Sequence, residues 1–196
     1  MEMPLVLQLD ISGIPQTWIT YGKAAYYYSR DLSTWKPEAQ GITLHGGISR
    51  KTGEQSLLVL NSIIAISGKL SHKQSYLANY VPVTNKTLFR RDCNMCAYCG
   101  RTFSFDNLTR DHVLPRSRGG LDNWTNMVTC CGKCNRLKAN KTPDESGMEL
   151  LYIPYAPVRS EYLILSNKYI LQDQMEYLMN RIPEHSRIKQ RVKDTI

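Results

Sequence analysis

The N-terminal part of the chain alternates short apolar runs with turn residues. Residues 5–9 (LVLQL) have the length and composition of a buried strand, and Thr20 is a suitable N-cap for a helix over residues 21–29. Two further apolar runs, residues 57–60 and 63–66, are separated by two polar residues and predict strands, or a strand and a turn. This part of the chain is therefore expected to form a mixed α/β lobe.

A short amphipathic helix is predicted to lead into the middle of the chain. Thr84 provides an N-cap for residues 85–92, which follow an extended Val-Pro-Val segment. Helical spacing turns Leu88 inward and places Arg90 and Arg91 on the outside. Trp124, further along, is expected to pack in the core below the central segment.

Two helices are predicted after the central segment. Thr142, Pro143 and Glu145 form a capping box with proline at the first helical position, which predicts a short helix ending near Leu151. Ser166 is then expected to cap a longer amphipathic helix that extends to about residue 181.

These elements predict three parts. Residues 1–83 form an N-terminal α/β lobe with a role in specificity or packing, and a composition shift near residue 80 marks its end. Residues 84–151 form the central core, and residues 152–196 form a helical extension with a basic tail.

Composition and charge narrow the class of partner. The chain of 196 residues has a net charge of +8, which favours a polyanionic partner, with nucleic acid first and an anionic membrane second. No apolar run approaches the roughly 20 residues of a membrane span, and the N-terminus does not resemble a signal peptide. The sequence therefore predicts a cytoplasmic protein, in which thiols stay reduced and the membrane is not a partner.

All six cysteines fall between residues 93 and 134, which in a reducing compartment favours metal binding over disulfides. Two Cys-x-x-Cys turns match the ligand spacing of a structural zinc site, and four thiolates leave no open position for water. Cys93 and Cys130 stay open as alternative ligands, because Cys93 also lies three residues before the first pair's leading cysteine and Cys130 adjoins the second pair. The favoured zinc ligands are Cys96, Cys99, Cys131 and Cys134.

Four polar residues between and beside these turns carry the candidate chemistry. Asp111-His112 lies toward the end of a predicted strand over residues 108–114 and precedes a basic, glycine-containing loop. Asn126 follows fourteen residues after His112, and Asn135 follows nine residues after that. Neighbours on a regular strand point to opposite faces, so Asp111 and His112 can flank one phosphate only if the strand kinks or the substrate crosses its end.

The segments DHVLPRSRGG, DNWTNMVT and CCGKCNRLKANKTP, in this order and spacing, resemble the HNH nuclease motif in its His-Asn-Asn form. The flanking cysteine pairs resemble the zinc-containing branch of that family. The resemblance covers residues 90–150 and implies an α+β fold. Its core would be a ββα-metal (HNH, His-Me finger) site stapled by four cysteines, with the α/β lobe before it and the amphipathic helix after it.

The resemblance also implies roles for single residues. His112 matches the general base, and Asp111 and Asn135 match the ligands of a catalytic divalent ion. Asn126 matches the residue that holds the loop bearing the base. Many members have histidine where Asn135 stands, and the harder amide oxygen favours Mg²⁺ or Mn²⁺ over Zn²⁺ at this position.

The residue types agree with phosphodiester hydrolysis. Histidine can act as a base near neutral pH, a divalent ion can stabilise the charge that develops on phosphorus and on the leaving oxygen, and cations can hold the polyanion. The candidate nucleic-acid-binding residues of the segment are Arg110, Arg116, Arg118, Lys133, Arg136, Lys138 and Lys141.

The sequence thus predicts an endonuclease that hydrolyses DNA and leaves a 5′-phosphate and a 3′-hydroxyl, as the family implies, with RNA left open as a substrate. The alternative is a zinc-stabilised nucleic-acid-binding module without catalysis, which would not require Asp111, His112, Asn126 and Asn135 together. One histidine and one catalytic ion cut one strand, so double-strand cleavage would require a homodimer or two events.

Overall fold

The computed structural model of the chain describes residues 4–35, 41–67, 82–184 and 186–189. It divides into two compact units, residues 1–79 with 167–181 and residues 80–166 with 182–196. The predicted three-part division stays a prediction, although residues 167–181 group with the N-terminal residues instead of with the rest of the predicted extension. The last part of the predicted basic tail, residues 190–196, lies outside the described residues.

In its described residues, the first unit contains one helix and six strands before its C-terminal segment. They are β1 (Val6–Leu9), β2 (Pro15–Ile19), α1 (Tyr21–Ser29), β3 (Ser33–Trp35), β4 (Gly41–Ile48), β5 (Gln55–Asn61) and β6 (Ile63–Ile66). A four-stranded sheet has the order β2-β1-β6-β3, with β1 parallel to β6 and antiparallel to β2, while β4 and β5 form a separate hairpin. The apolar runs that predicted strands are confirmed, and Thr20 caps α1 as expected.

The second unit begins with a helix that packs on a hairpin. Its elements are α2 (Asn85–Arg91), β7 (Leu108–His112), β8 (Met127–Cys131), α3 (Gly132–Lys138), α4 (Pro143–Ser146) and α5 (Arg159–Ser166). One apolar cluster joins α2 to the hairpin and includes Trp124, as the sequence predicted; its buried members are Leu88, Phe89, Leu108, Trp124 and Met127. Thr84 and Thr142 cap α2 and α4 with complete capping boxes, which confirms both predicted helix starts.

The outward placement predicted for Arg91 is wrong. Its side chain is fully buried, with one guanidinium nitrogen donating to the carbonyl of Trp124 at 2.7 Å and another to that of Met127 at 2.8 Å. Asp92 supplies the counter-charge at 2.8 Å and also accepts a hydrogen bond from the amide of Thr129. Helical spacing could not reveal this, because carbonyls distant in sequence satisfy the buried charge.

The C-terminal helices also differ from the prediction. Ser166 ends α5 instead of starting a long helix, and the next helix, α6 (Gln172–Met179), begins only after Leu171. The side chain of Gln174 accepts a hydrogen bond from the backbone amide of Leu171 at 3.1 Å and thereby caps α6. Its amide nitrogen donates to the carbonyl of Ser62 at 2.8 Å, which holds α6 within the first unit.

The helix after Thr142 is shorter than predicted, because Gly147 adopts a left-handed conformation (φ 63°) and ends it after Ser146. Within the described ranges, no helix combines the length and the apolar character that a membrane span would need.

Candidate active site and metal centres

The hairpin of β7 and β8 supports two groups of polar residues at its two ends. Leu108 pairs with Cys131 at one end of the ladder, and His112 pairs with Met127 at the other. The chain continues directly from β8 into α3, whose N-cap is Cys131. The hairpin and helix therefore lie in the order that the predicted ββα arrangement requires.

The four cysteines favoured as zinc ligands converge at the first end. The sulfur atoms of Cys96, Cys99, Cys131 and Cys134 all lie within 4.8 Å of one another. A tetrahedral site with zinc–sulfur bonds of about 2.3 Å needs sulfur–sulfur separations of roughly 3.8 Å, so a small contraction around the ion would complete it. The donor set fits zinc.

Backbone amides prepare this cluster for thiolates. Burial alone would raise the pKa of Cys96, but hydrogen bonds from the backbone of Cys131, Cys99 and Tyr98 outweigh it and lower the pKa to about 7. The turn is held in shape by Gly100, whose left-handed φ of 71° lets its amide donate to the carbonyl of Cys96 at 3.0 Å.

The two remaining cysteines are not among the four converging sulfur atoms, although Cys130 packs against Cys96, Cys131 and Cys134. The thiol of Cys130 donates to the carbonyl of Cys131 at 3.3 Å, and burial raises its pKa well above the usual range. Cys93 lies in a turn with φ 57°, and its sulfur lies 4.0 Å from the carbonyl of Arg91. Among the described residues, the geometry thus favours the four ligands chosen from the Cys-x-x-Cys spacing.

A cleft of about 320 Å³ lies at the opposite end of the hairpin, and Asp111, His112 and Asn135 all line it. Asp111 and His112 are the last two residues of β7, and both are still paired with β8. Because both nevertheless line the cleft, the cleft lies across the end of the strand. The cleft is also lined by Arg110, Pro115, Arg116, Ser117, Lys138, Ala139 and Asn140.

Asp111 is buried, with 6% of its surface exposed, and its carboxylate has two charged or polar partners. The hydroxyl of Tyr98 donates to Oδ2 at 2.6 Å, and the ammonium of Lys138 lies 3.1 Å from Oδ2 and 3.2 Å from Oδ1. Lys138 also donates to the backbone carbonyl of His112 at 2.7 Å. Burial, followed by the hydrogen bond to Asp111, raises the pKa of Tyr98 above its usual range, so the phenol keeps its proton.

His112 is oriented by a carboxylate. Its Nε2–H donates to Oδ1 of Asp122 at 2.5 Å, and this bond lowers the pKa of Asp122 below its ordinary value. In the neutral ring the proton therefore sits on Nε2, which leaves Nδ1 as the basic nitrogen. A histidine held in this tautomer can accept a proton from water.

Asn126 is placed where a loop-holding residue should be. Its Oδ1 accepts from the amide of Leu114 at 2.8 Å, and its Nδ2 donates to the carbonyls of Leu114 and Leu121, both at 3.1 Å. One side chain thus closes the loop that follows His112.

Asn135 is presented by α3, one residue after Cys134 of the cysteine cluster. Its Nδ2 donates to the hydroxyl of Thr109 on β7 at 3.0 Å, which fixes the side chain and leaves Oδ1 as the atom for a metal ion. The first turn of α3 thus carries both a cysteine of the zinc cluster, Cys134, and a residue of the cleft, Asn135.

The seven predicted nucleic-acid-binding cations occupy three settings. Arg118 forms an ion pair with Glu145 at 2.6 Å, and Lys138 is fully buried against Asp111, so neither lies free on the surface. Lys138 is buried because its ammonium satisfies two groups of β7, a contact that the sequence did not indicate. Arg118 is nevertheless exposed, and so are the five other members, of which Arg116 lies 3.9 Å from the carboxylate of Asp122. These five are Arg110, Arg116, Lys133, Arg136 and Lys141.

Tyr98 and Asp122 are site residues that sequence reasoning missed. Asp122 lies ten residues after His112 in a loop, and the charge pattern alone did not indicate which cation it pairs with. Tyr98 lies within the Cys96–Cys99 turn, where an aromatic residue is ordinarily expected only to pack against its neighbours.

The comparisons agree with the resemblance found in the sequence. Residues 96–151 match a family model described as HNH endonuclease. The chain is 40% identical over 52 residues to the CRISPR-associated endonuclease Cas9 of Corynebacterium diphtheriae, covering 26% of this chain and 5% of that protein. It is 32% identical over 88 residues to the CRISPR-associated endonuclease Cas9 of Actinomyces naeslundii, covering 44% of this chain and 8% of that protein.

A crystal structure of the Type II-C Cas9 enzyme from Actinomyces naeslundii aligns with 55% of this chain and 11% of that chain, at 21% identity and a TM-score of 0.30. The matches thus span only a small part of the length of these relatives. The predicted HNH assignment of the central segment is confirmed by the family model and the two sequence relatives.

Proposed function

We propose that this chain, which carries an HNH endonuclease domain over residues 96–151, is a metal-dependent endonuclease that hydrolyses phosphodiester bonds of DNA. The observation that carries the proposal is the single cleft that gathers Asp111, His112 and Asn135 at the end of β7. A binding module would have no need for a basic histidine, a carboxylate and an amide in one cleft. The expected products carry a 5′-phosphate and a 3′-hydroxyl.

His112 is the general base of the proposed reaction. Its Nδ1 accepts a proton from the attacking water, and the carboxylate of Asp122, 2.5 Å from Nε2, stabilises the imidazolium that results. Asn126 holds the main chain around Leu114, two residues beyond the base, so that the ring keeps its place relative to the cleft. Such positioning is a large part of phosphoryl-transfer catalysis.

Asp111 and Asn135 are the proposed ligands of the catalytic ion. A carboxylate oxygen and an amide oxygen beside a water-accessible cleft fit a hard cation such as Mg²⁺ or Mn²⁺, which keeps several waters. The bound ion would stabilise the negative charge that develops on the phosphate and on the leaving oxygen. Lys138 shares the carboxylate of Asp111, which predicts only moderate affinity for the ion.

The DNA backbone is proposed to lie along the exposed cations around the cleft. Arg110 and Arg116 line the cleft itself and can contact the phosphates beside the scissile bond. Lys133, Arg136 and Lys141 extend the positive surface on and after α3. The zinc held by the four cysteines is proposed to be structural, because four thiolates leave no position for a substrate.

A plasmid-nicking assay tests the proposal. Wild-type protein is expected to convert supercoiled plasmid to the open circle with Mg²⁺ or Mn²⁺ and not with EDTA. His112→Ala should reduce the nicking rate on the order of 10³-fold, because it removes the base. The variant should bind a labelled duplex and retain zinc as the wild type does.

Two outcomes would contradict the proposal. Nicking by His112→Ala at the wild-type rate would show that the base is elsewhere. DNA binding without any metal-dependent nicking by wild type would favour the non-catalytic binding module instead.

A further inference from the structure

Tyr98 belongs to the cysteine turn, yet its hydroxyl reaches the cleft. The residue lies between Cys96 and Cys99, and only its phenol oxygen leaves the turn to donate to Oδ2 of Asp111 at 2.6 Å. The distance is that of a charge-assisted hydroxyl–carboxylate hydrogen bond, and the receiving carboxylate is buried. One side chain therefore connects the zinc cluster to the proposed catalytic ligand.

The turn that carries Tyr98 is held firmly. The amide of Ala97 donates to the carbonyl of Thr129 on β8 at 2.8 Å, and the carbonyl of Ala97 accepts from the amide of Leu151 at 2.9 Å. The two flanking cysteines are ligands of the candidate zinc site. Zinc would thus fix the backbone on both sides of Tyr98, and with it the position of the hydroxyl.

Asp111 depends on such a partner for its orientation. A carboxylate can rotate about its terminal torsion, and the only other side-chain donor found for it among the described residues is the ammonium of Lys138, which contacts both oxygens almost equally, at 3.1 Å and 3.2 Å, and so does not distinguish them. The phenol reaches Oδ2 from a rigid turn and so fixes the plane of the carboxylate. Phenylalanine would fill the same space, so it is the hydroxyl that supplies the orientation.

We propose that Tyr98 is a positioning residue for the catalytic ion, which aligns Asp111 as a ligand and makes that ligand dependent on the zinc-bound turn. The inference rests on the proposed function, because Asp111 is assigned there as the ligand. Removal of hydrogen-bond partners of metal ligands typically lowers metal affinity or activity by roughly 10- to 100-fold. A similar loss is expected from removal of the Tyr98 hydroxyl.

The test compares Tyr98→Phe with Tyr155→Phe in full-length, zinc-loaded protein. Tyr155 is a matched control, because its half-buried hydroxyl also donates to a buried carboxylate of the same unit, Glu161, at 3.3 Å. Mn²⁺ binding is measured directly by the loss of the free-ion signal in electron paramagnetic resonance. Zinc content, thermal unfolding and the Mg²⁺ concentration for half-maximal nicking are measured in parallel.

Tyr98→Phe should keep one zinc per chain and bind Mn²⁺ about 10-fold or more weakly, whereas Tyr155→Phe should bind Mn²⁺ as the wild type does. Higher Mg²⁺ should restore most of the nicking rate of Tyr98→Phe. Unchanged Mn²⁺ affinity, an equal loss in both variants, or no Mn²⁺ binding by wild type would overturn the inference. Wild type that binds Mn²⁺ without nicking DNA would overturn the proposed function alone, and the effect of Tyr98→Phe on binding would still decide the inference.

Discussion

The two ends of the β7–β8 hairpin differ in what holds their polar residues. At the cysteine end, side chains of one type converge, three of the four are buried, and backbone amides surround them. At the cleft end, each polar side chain has a different partner: Asp111 has Tyr98 and Lys138, and His112 has Asp122. The cysteine end suits a permanently bound structural ion. The cleft end suits a water molecule and a substrate, which must enter and leave.

In the proposed function, the chemistry lies at the cleft end and not at the more conspicuous cysteine motif. The cysteines hold the start of α3, which carries Asn135, and the Cys96–Cys99 turn, which carries Tyr98. These two elements place Asn135 and Tyr98 beside the cleft. If this division of labour is right, changes at the two ends should fail in different ways.

The largest effect on cleavage is expected from Asp111→Asn at the cleft end. The substitution keeps the shape but removes the charge that a divalent ion requires, so metal-dependent nicking should fall on the order of 10³-fold. Plasmid nicking across a range of Mg²⁺ concentrations measures this, and zinc content serves as the control for folding. Wild-type nicking at low Mg²⁺ would remove Asp111 from the site.

Cys99→Ser should disrupt the zinc site at the cysteine end of the hairpin. Loss of a thiolate ligand releases zinc and its contribution to folding, so thermal unfolding should drop on the order of 10 °C, with activity lost as a consequence. Cys93→Ser is the matched control, because its sulfur is not part of the cluster. Equal zinc content and equal unfolding temperatures in the two variants would show that the cluster is assigned to the wrong cysteines.

Asp122→Asn should have a smaller effect with a pH signature. Because the pKa of Asp122 is lowered by its bond to His112, the carboxylate is ionised above its ordinary pKa and loses its charge only as the pH falls through the lowered value. The negative charge therefore persists through the neutral range, where the carboxylate accepts the hydrogen bond from Nε2 of His112.

The neutral amide in Asp122→Asn should slow nicking about 10-fold across the neutral range, and the difference from wild type should shrink only at a pH low enough to neutralise the carboxylate of Asp122. Rate profiles of both proteins from pH 5 to pH 9 measure the ratio of their rates, which should stay constant. Equal rates throughout would mean that Asp122 does not act on the base.

The smallest effect is expected from single surface cations. Arg116→Ala should weaken DNA binding and reduce the slope of log affinity against log salt by about one, because Arg116 is exposed at the cleft and its ion pair with Asp122 is long, at 3.9 Å. Arg118→Ala should change the slope less, because Arg118 is paired with Glu145. Salt titrations of labelled duplex binding compare the two, and a larger change for Arg118 would reverse their assignment.

Local rules account for what the sequence could predict. Thr20, Thr84 and Thr142 cap helices through side chains within three residues, and the two Cys-x-x-Cys turns specify their own geometry. Asn126 bonds the backbone of Leu114, twelve residues earlier, and its role as the residue that holds the loop after His112 stays a prediction.

What the sequence could not predict depends on pairs far apart in the chain. Lys138 and Arg91 have the pattern of surface cations, but partners elsewhere in the second unit satisfy both and allow burial. The long helix predicted after Ser166 fails for a local reason, because side chains bind the backbone amides between the two helices: Asn167 accepts from the amide of Tyr169, and Gln174 accepts from that of Leu171. Apolar periodicity describes one face of a helix and contains no record of such partners.

The division of labour between the two ends is tested most directly by a Mg²⁺ titration of protein that holds one zinc per chain, with plasmid nicking as the readout. If the cleft end binds the catalytic ion, nicking should rise from zero with Mg²⁺ while the zinc content stays constant, and His112→Ala should stay inactive throughout. Nicking that persists without Mg²⁺, or that follows the zinc content instead, would place the chemistry at the cysteines and contradict this division of labour.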